Sequence, residues 1–410
     1  MSGGTAAGQN AVGSPEARRW SRTVALLSVM SGTAVSVIYL PQTLLTDIAD
    51  HFHTTAAVAG VTATTVQVGY ALGIFFLVPL ADRVSARIQV TVQTILLVLT
   101  LGVSVLLPSV GALAIGFVAV GLVANIAQVI LPAANRLAPA GRAASTTATL
   151  IGSWLAGIFG GRIIAGLLAP LIGWQWVLVA FAAALLILLP IVRSRLTQSE
   201  RFPPARGGYG ELLGSTIALI RRSPTVGQSV AIQLLVFATF NSLWTVVVLH
   251  LTGPDVGWTG VAAGLFGFVG LAVVLFVPVV ARLVQRLGQL RSAGLGLGIA
   301  LIATVSIVFD NQSVVLYGIS MFLIAFAQQL TQSSVQSRLL ATNPAAPGQA
   351  NTVFMFFMFI GGAFGAFIGP WGYARGGLVQ VALQGAGFVL VSAIVWLIVF
   401  SSSRKAIASA

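Results

Sequence analysis

The sequence predicts an all-α integral membrane protein in which twelve transmembrane helices form two pseudo-symmetric six-helix bundles. Three observations predict this fold: a succession of long apolar segments, a one-sided distribution of arginines, and a charged motif that occurs twice. Of the 410 residues, 57% are hydrophobic and 7% are charged, and the mean hydropathy is +0.99. Such a chain cannot cover itself with a water-facing surface, so we expect a lipid bilayer around it.

The apolar segments are long enough to cross a membrane. A helix needs about 20 apolar residues to span the hydrocarbon core, and it pairs its own backbone polar groups there. Dividing the sequence at charges and turn residues gives twelve predicted spans, at 23–46, 55–80, 89–108, 112–135, 143–170, 175–192, 224–250, 259–281, 292–309, 313–337, 349–372 and 378–402.

Polar segments divide the chain into two halves. Residues 1–21, most of them small and polar, are predicted to form a disordered cytoplasmic tail. The first bundle then covers 22–192 and the second 224–403, followed by a short tail, 404–410. Between the bundles, the linker 193–223 contains "RFPPARGGYGE", whose prolines and glycines prevent continuous helix while its arginines favour an anionic inner leaflet.

The basic residues predict the orientation of the spans. If the N-terminus is cytoplasmic, all but two of the 21 Lys and Arg residues fall on the inner side of the membrane. The exceptions are Arg375, which falls outside, and Arg162, which lies within a span. We therefore expect a multi-pass protein of the cytoplasmic (inner) membrane with both termini in the cytoplasm.

An internal repeat relates the two halves. "VPLADRVSAR" (78–87) and "VPVVARLVQR" (277–286) align at a constant offset of 199, after the second span of each half. The fifth spans both carry small residues four apart, as close helix packing requires; these are Gly157, Gly161, Gly361, Gly365 and Gly369. Duplicated bundles with a site between them are typical of secondary transporters.

The motif at 78–87 resembles the signature G-x-L-A-D-R-x-G-R-R of the major facilitator superfamily. The segments "IYLPQTLLTDIADHF", "GYALGIFFLVPLADR" and "GQANTVFMFFMFIGGAFGAFIG" are similar to its arabinose-efflux-permease-like branch, near the drug/proton antiporters. This resemblance implies export of small molecules by alternating access and proton antiport, with the proton gradient as driving force and no cofactor. Three positions depart from these patterns: Ala156 replaces a glycine and Gly157 the proline of the antiporter signature, and Phe117 stands where an arginine is usual in the branch.

Two alternatives to export remain open. One is uptake or facilitated diffusion of a sugar-like or other neutral metabolite, and the other is a non-transporting membrane sensor. We expect the protein to be a monomer whose partners are a small-molecule substrate and the lipid bilayer.

The resemblance also implies a conformational latch. Asp82 would dock at the cytoplasmic start of the eleventh span, 347–351, where unpaired N–H groups carry partial positive charge. Arg83, Arg87 and Arg136 would keep the Asp82 carboxyl ionised and oriented toward the start of the eleventh span. In the alternative interpretation, the arginines serve to orient the chain in the membrane.

Arg162 is the candidate for transport chemistry, because a charge inside a span is costly. We expect it to line the cavity and to pair intermittently with Asp47, the best available proton carrier; alternatively, Arg162 snorkels to the outer surface. Polar and aromatic side chains within the spans are the candidate substrate contacts, since amides are unfavourable in lipid; they are Tyr39, Gln42, Asn125, Gln128, Asn241, Trp244, Gln328 and Gln332.

Other classes of function lack their sequence signals. The basic residues come singly or in pairs between apolar runs, which argues against nucleic-acid binding. Asp50, His51 and His53 could hold a divalent ion, but no further ligand is nearby in the sequence, so we expect no metal site. Phosphate-binding loops, zinc signatures and nucleophile elbows are missing, and we expect no enzymatic activity.

Overall fold

A computed structural model describes residues 15–196, 208–309 and 313–408, without the side chains of 15–17, Asp82 and 403–408. Every regular element in these residues is a helix. Ten segments are long and apolar enough to cross a membrane. The last of them holds two helices, and the broken first helix brings the number of spans to twelve. The predicted all-helical fold is thus confirmed.

The first span, α1, consists of Pro15–Val37 followed by two short pieces, Leu40–Thr43 and Leu45–His51. Spans α2 to α10 cover Ala56–Ala81, Ala86–Ser104, Val110–Leu137, Ala143–Ile172, Trp174–Arg195, Pro224–Thr252, Gly260–Leu287, Gln289–Phe309 and Val314–Thr342. The segment Pro347–Ala408 contains α11 and α12, divided at Gly376 and Gly377, whose backbone angles are non-helical. The φ of Gly377 is +60°, a value that glycine adopts without strain.

Two local features differ from the sequence prediction. The helix of α1 begins at Pro15, within the predicted disordered tail, because the fixed φ of proline suits the first turn of a helix. Part of the predicted linker forms a separate helix, Tyr209–Arg222, which we call the linker helix. The rest of that prediction, 197–207, lies outside the described residues.

Five spans are interrupted where continuous helix was predicted; α2 and α8 are two of them, and the other three have polar residues near their breaks. The first span breaks at 38–39 and again at Leu44, α4 at Ala124 and Asn125, and α7 at Val246. Interrupted membrane helices are tolerated where the freed backbone faces protein or a cavity, and transporters place binding sites there. The polar residues beside these breaks are therefore candidates for a binding site.

Within each half, the fifth span packs on the first span through small residues. A Cβ on Gly157 would lie 2.8 Å from the Cα of Gly32, and the Ser36 hydroxyl donates a 2.8 Å hydrogen bond to the Gly157 carbonyl. In the second half, Gly361, Gly365 and Gly369 face the backbone of α7 in the same way. The two halves thus share one packing scheme, as expected for a repeat.

The contacts between the halves differ at the two ends of the molecule. We call the end where α6 finishes and α7 begins the linker end, and the other the opposite end. At the opposite end, a Cβ on Gly166 of α5 would lie 2.5 Å from the Cα of Gly264 in α8, and a Cβ on Gly60 of α2 would lie 2.9 Å from Pro370 in α11. The opposite end is therefore closed.

Toward the linker end, α5 and α8 diverge. Gly152 lies on the same face of α5 as Phe159, Ile163 and Gly166, because the spacings of seven, four and three residues follow the helical period. A Cβ on Gly152 would meet no atom within 4 Å. Along the other edge, α2 and α11 stay in contact, with the rings of Phe75 and Phe356 5.4 Å apart.

We predict that Gly365→Ala lowers the thermal stability, because its methyl group would overlap the Ala238 backbone, with the carbonyl carbon 2.8 Å away. Overpacking of this kind costs about 1–3 kcal/mol. Gly387→Ala in α12 is the matched control, since a Cβ there meets no atom within 4 Å and helical alanine is favourable. Equal melting temperatures for the two variants, measured in detergent, would contradict this packing.

Candidate functional site

Arg162 of α5 is buried between the two halves, with 5% of its surface exposed. Its Nη2 donates a hydrogen bond to the Gln42 side-chain carbonyl. The guanidinium carbon lies 4.8 Å from the ring centre of Tyr39, 5.1 Å from that of Trp244 and 5.5 Å from that of Phe159. Arg162 thus does not snorkel to the surface in this structure, and aromatic faces surround its charge.

Three amide side chains extend this cluster across the interface. The Asn241 Oδ1 atom accepts hydrogen bonds from Gln42 Nε2 at 3.1 Å and from Gln67 Nε2 at 2.9 Å. The Asn241 Nδ2 atom donates to the Phe237 carbonyl at 3.1 Å. All three amides are buried, and the network links α1 and α2 of the first half to α7 of the second.

The repeat explains why Gln42 meets Asn241. These two residues are 199 positions apart, the same offset that relates the two charged motifs. In a two-fold arrangement, a residue contacts its own counterpart where it lies close to the axis. The Gln42–Asn241 hydrogen bond therefore marks the pseudo-two-fold axis, and the cluster occupies the centre of the interface.

Phe159 was not among the predicted site residues, although its ring lies 4.9 Å from that of Trp244. It precedes Arg162 by three residues, so both side chains lie on one face of α5. That spacing is the sequence signal that could have identified it. A small cavity adjoins the cluster, lined by Gln42, Arg162, Trp244, Gly264 and Gly267, among others.

The other predicted cavity residues form separate contacts. Asn125 accepts a hydrogen bond from Gln93 at 2.8 Å and donates to the Leu122 carbonyl, inside the first half. Gln128 lies beside the Tyr70 hydroxyl. Gln328 donates to Gln332 one turn along α10 at 3.4 Å. Among the described residues, no hydrogen bond joins these four to the Arg162 cluster.

Asp47 lies in the last helical piece of α1, partly buried, and forms no ion pair with Arg162 within the described structure. Gln42 is the hydrogen-bond partner of Arg162 instead. The intermittent Arg162–Asp47 pair stays a prediction.

The charged motif at 78–87 contacts the linker helix. The Arg83 guanidinium lies 5.8 Å from the ring centre of Tyr209, whose hydroxyl donates to the Phe76 carbonyl. The pKa of Tyr209 is raised by burial, against the opposing effect of Arg83. Arg87 is half-buried and Arg136 is exposed, while the Asp82 side chain lies outside the described residues. Tyr209 was not predicted from the sequence, because its partners are distant in the chain.

The histidines take part in aromatic packing. His51 meets the rings of Phe52 at 4.7 Å and Trp174 at 5.5 Å. His250, which sequence reasoning passed over, is buried 5.1 Å from the ring of Tyr317. Within the described ranges, no three His, Asp or Glu side chains come together as metal ligands would.

Comparison with known protein families identifies the family of this chain. The profile of the Major Facilitator Superfamily matches residues 23–366, which is most of the chain. The chain therefore belongs to the Major Facilitator Superfamily, and the resemblance is confirmed at that level. It is a multi-pass membrane transporter of this type and not an enzyme.

Two similar bacterial proteins are also described as transporters. The chain is 30% identical over 377 residues to the uncharacterized transporter YgaY of Escherichia coli O157:H7, covering 91% of this chain and 94% of that protein. It is also 30% identical over 375 residues to "Probable transporter SCO4007" of Streptomyces coelicolor, covering 89% and 85% of the two chains.

Solved structures show the same fold at low identity. A single-residue variant of the nucleoside transporter NupG has a TM-score of 0.76 at 15% identity, covering 92% of this chain and all of that one. A bacterial homologue of the human lysosomal transporter Spinster, in an inward-facing and unoccupied conformation, has a TM-score of 0.69 at 14% identity, covering 94% and 97%.

Proposed function

We propose that this transporter exports small molecules, drug-like compounds or metabolites, across the cytoplasmic membrane by alternating access. The observation that carries the proposal is the buried Arg162 cluster on the pseudo-two-fold axis, at the position where a substrate would contact both halves. Its aromatic rings suit the apolar body of a cargo molecule, and its amides supply polar contacts of the kind that fix a ligand's orientation.

The arrangement of the interface supports alternating access. The halves meet backbone to backbone at Gly166 and Gly264, near the opposite end, and diverge at Gly152, near the linker end. Each half is internally fixed by the packing of its fifth span on its first. A rocking motion of two rigid halves would close one end as it opens the other.

The orientation of this motion follows from the charges. Most described arginines lie near the linker end, which we propose is cytoplasmic by the positive-inside rule. The structure would then correspond to a state closed toward the outside and parted toward the cytoplasm along α5 and α8. Asp82, held by Arg83, Arg87 and Arg136, would favour one of the two states as a latch, with Tyr209 of the linker helix as a further contact.

We propose proton antiport as the source of energy. Asp47 is the candidate proton carrier because its side chain is partly buried near the opposite end of the first span. Loss of hydration disfavours the charged form of a carboxyl, which helps such a group to take up a proton during the transport cycle.

A second candidate function is uptake or facilitated diffusion of a neutral metabolite. The cluster of Gln42, Gln67 and Asn241 favours it, since amides bind hydroxyl groups well. The similarity in fold to the nucleoside transporter NupG is compatible with this alternative.

A pH step across proteoliposomes tests the mode of transport. Protons flow out of the acidic compartment in antiport, so cargo such as a labelled candidate drug or metabolite should accumulate in that compartment. Rates should fall several-fold when the pH step is removed at constant membrane potential. Equal rates with and without the step would contradict antiport and favour facilitated diffusion, and accumulation in the alkaline compartment would favour proton-coupled uptake.

A further inference from the structure

The Arg162 cluster contains more hydrogen-bond donors than the protein satisfies. The Nε and Nη1 atoms of Arg162 are buried without a partner, and so is the Nε1 atom of Trp244. A guanidinium carries five N–H donors and no acceptor, so the bond to Gln42 leaves most of its donors unused. A buried donor without a partner is costly, and a buried charge even more so.

The cluster also contains no described negative charge. The polar groups around Arg162 are neutral: the amides of Gln42, Gln67 and Asn241 and the hydroxyls of Tyr39 and Thr43. The other neighbours are the aromatic rings of Tyr39, Phe159 and Trp244. Arg162 forms no ion pair with any described carboxylate. In the cluster, three buried donor atoms lack a hydrogen-bond partner, whereas one buried acceptor atom, Gln67 Oε1, lacks one.

We infer that this site binds organic anions, with a carboxylate or sulfonate at Arg162 and an aromatic or apolar body among the rings. The inference rests on the proposed function and narrows its substrate class. The anion would supply the countercharge that the described protein lacks, and its oxygens would accept from Arg162 and Trp244. Arginine matches carboxylate geometry, and the aromatic faces pack against a flat body.

The same electrostatics disfavour cationic cargo. A substrate ammonium group placed among these rings would lie beside the Arg162 charge, in surroundings that screen it weakly. A neutral cargo of the same shape would leave the Arg162 donors unpaired. The expected order of affinity is therefore anion, then neutral amide, then amine.

The test compares three ligands of matched shape: phenylacetate, phenylacetamide and phenethylamine. Their binding to the purified wild-type protein in detergent is measured by equilibrium dialysis and by thermal shift, and naphthalene-1-acetate extends the series to a larger body. Phenylacetate or its naphthyl homologue should bind at least tenfold more tightly than the amide, and the amine most weakly. An amide or amine that binds as tightly as the anions overturns the inference, and so does the failure of both anions to bind.

Variants assign the effect to Arg162. Arg162→Gln should remove the preference for anion over amide while amide binding persists, and Arg162→Lys should keep part of the preference. Arg375→Gln is the matched control, because Arg375 also lies over a tryptophan ring, 3.1 Å from the centre of Trp371, but is exposed. It should leave the preference unchanged. Anion preference that survives in folded Arg162→Gln overturns the inference.

Flux measurements separate this inference from the proposed transport function. Flux of neutral or cationic compounds in proteoliposomes, without anion binding, would end the inference and leave the transport proposal standing. Tight anion binding without any flux would support the site and count against transport.

Discussion

The rest of the structure depends on a guanidinium enclosed by the membrane-spanning part of the protein, with no described carboxylate beside it. Placing an arginine at the centre of a membrane helix costs about 2.5–3.5 kcal/mol on insertion scales, and more on an isolated helix. Three aromatic rings and the Gln42 carbonyl surround Arg162 and offset part of this cost. A cation–π contact contributes about 0.5–2 kcal/mol. The contributing side chains come from α1, α5 and α7, so these three spans must converge there.

Duplication of a six-helix unit places this charge at the centre. The Gln42–Asn241 hydrogen bond joins two residues related by the repeat and lies beside the axis between the halves. Each half is fixed internally by close contacts such as Gly157 on Gly32 and Gly361 on the α7 backbone. The contact between the halves at Gly166 and Gly264 also lacks side chains, and the contacts of Gly60 with Pro370 and of Gly260 with Pro170 involve a side chain from one half only. Such surfaces can separate without unlocking interdigitated side chains.

The sequence predicted the parts of this arrangement that depend on periodicity and on the cost of charge in lipid. Apolar length identified the spans, and the isolated charge of Arg162 identified the centre of the site. Gln42 and Asn241 were predicted because amides within a span need partners, and Trp244 was predicted as an aromatic residue of the same spans. The offset of 199 also relates Gln42 to Asn241, so the repeat could have predicted that they meet.

Other features depend on tertiary geometry. The predicted pairing of Asp47 with Arg162 requires a continuous first helix, but α1 breaks at 38–39 and at Leu44. A break changes the direction of the helix that follows it. The membrane depth of a later residue, and the side on which its side chain lies, therefore cannot be extrapolated from the helix before the break. The contact of Tyr209 with Arg83 depends on how the linker folds back, and no local pattern encodes that.

The central claim, that the two halves rock about the Arg162 cluster, is tested most directly by fixing the opposite end shut. The chain contains no cysteine, so a pair introduced at Pro170 and Gly260 is unique. A Cβ on Gly260 would lie 3.7 Å from Pro170 Cγ, so the two side-chain positions are in contact, within reach of a disulfide or a short thiol cross-linker. The measurement is substrate flux in proteoliposomes before and after oxidation of the double variant. The account predicts that oxidation abolishes flux and that reduction restores it, and undiminished flux through the fully cross-linked protein would contradict it.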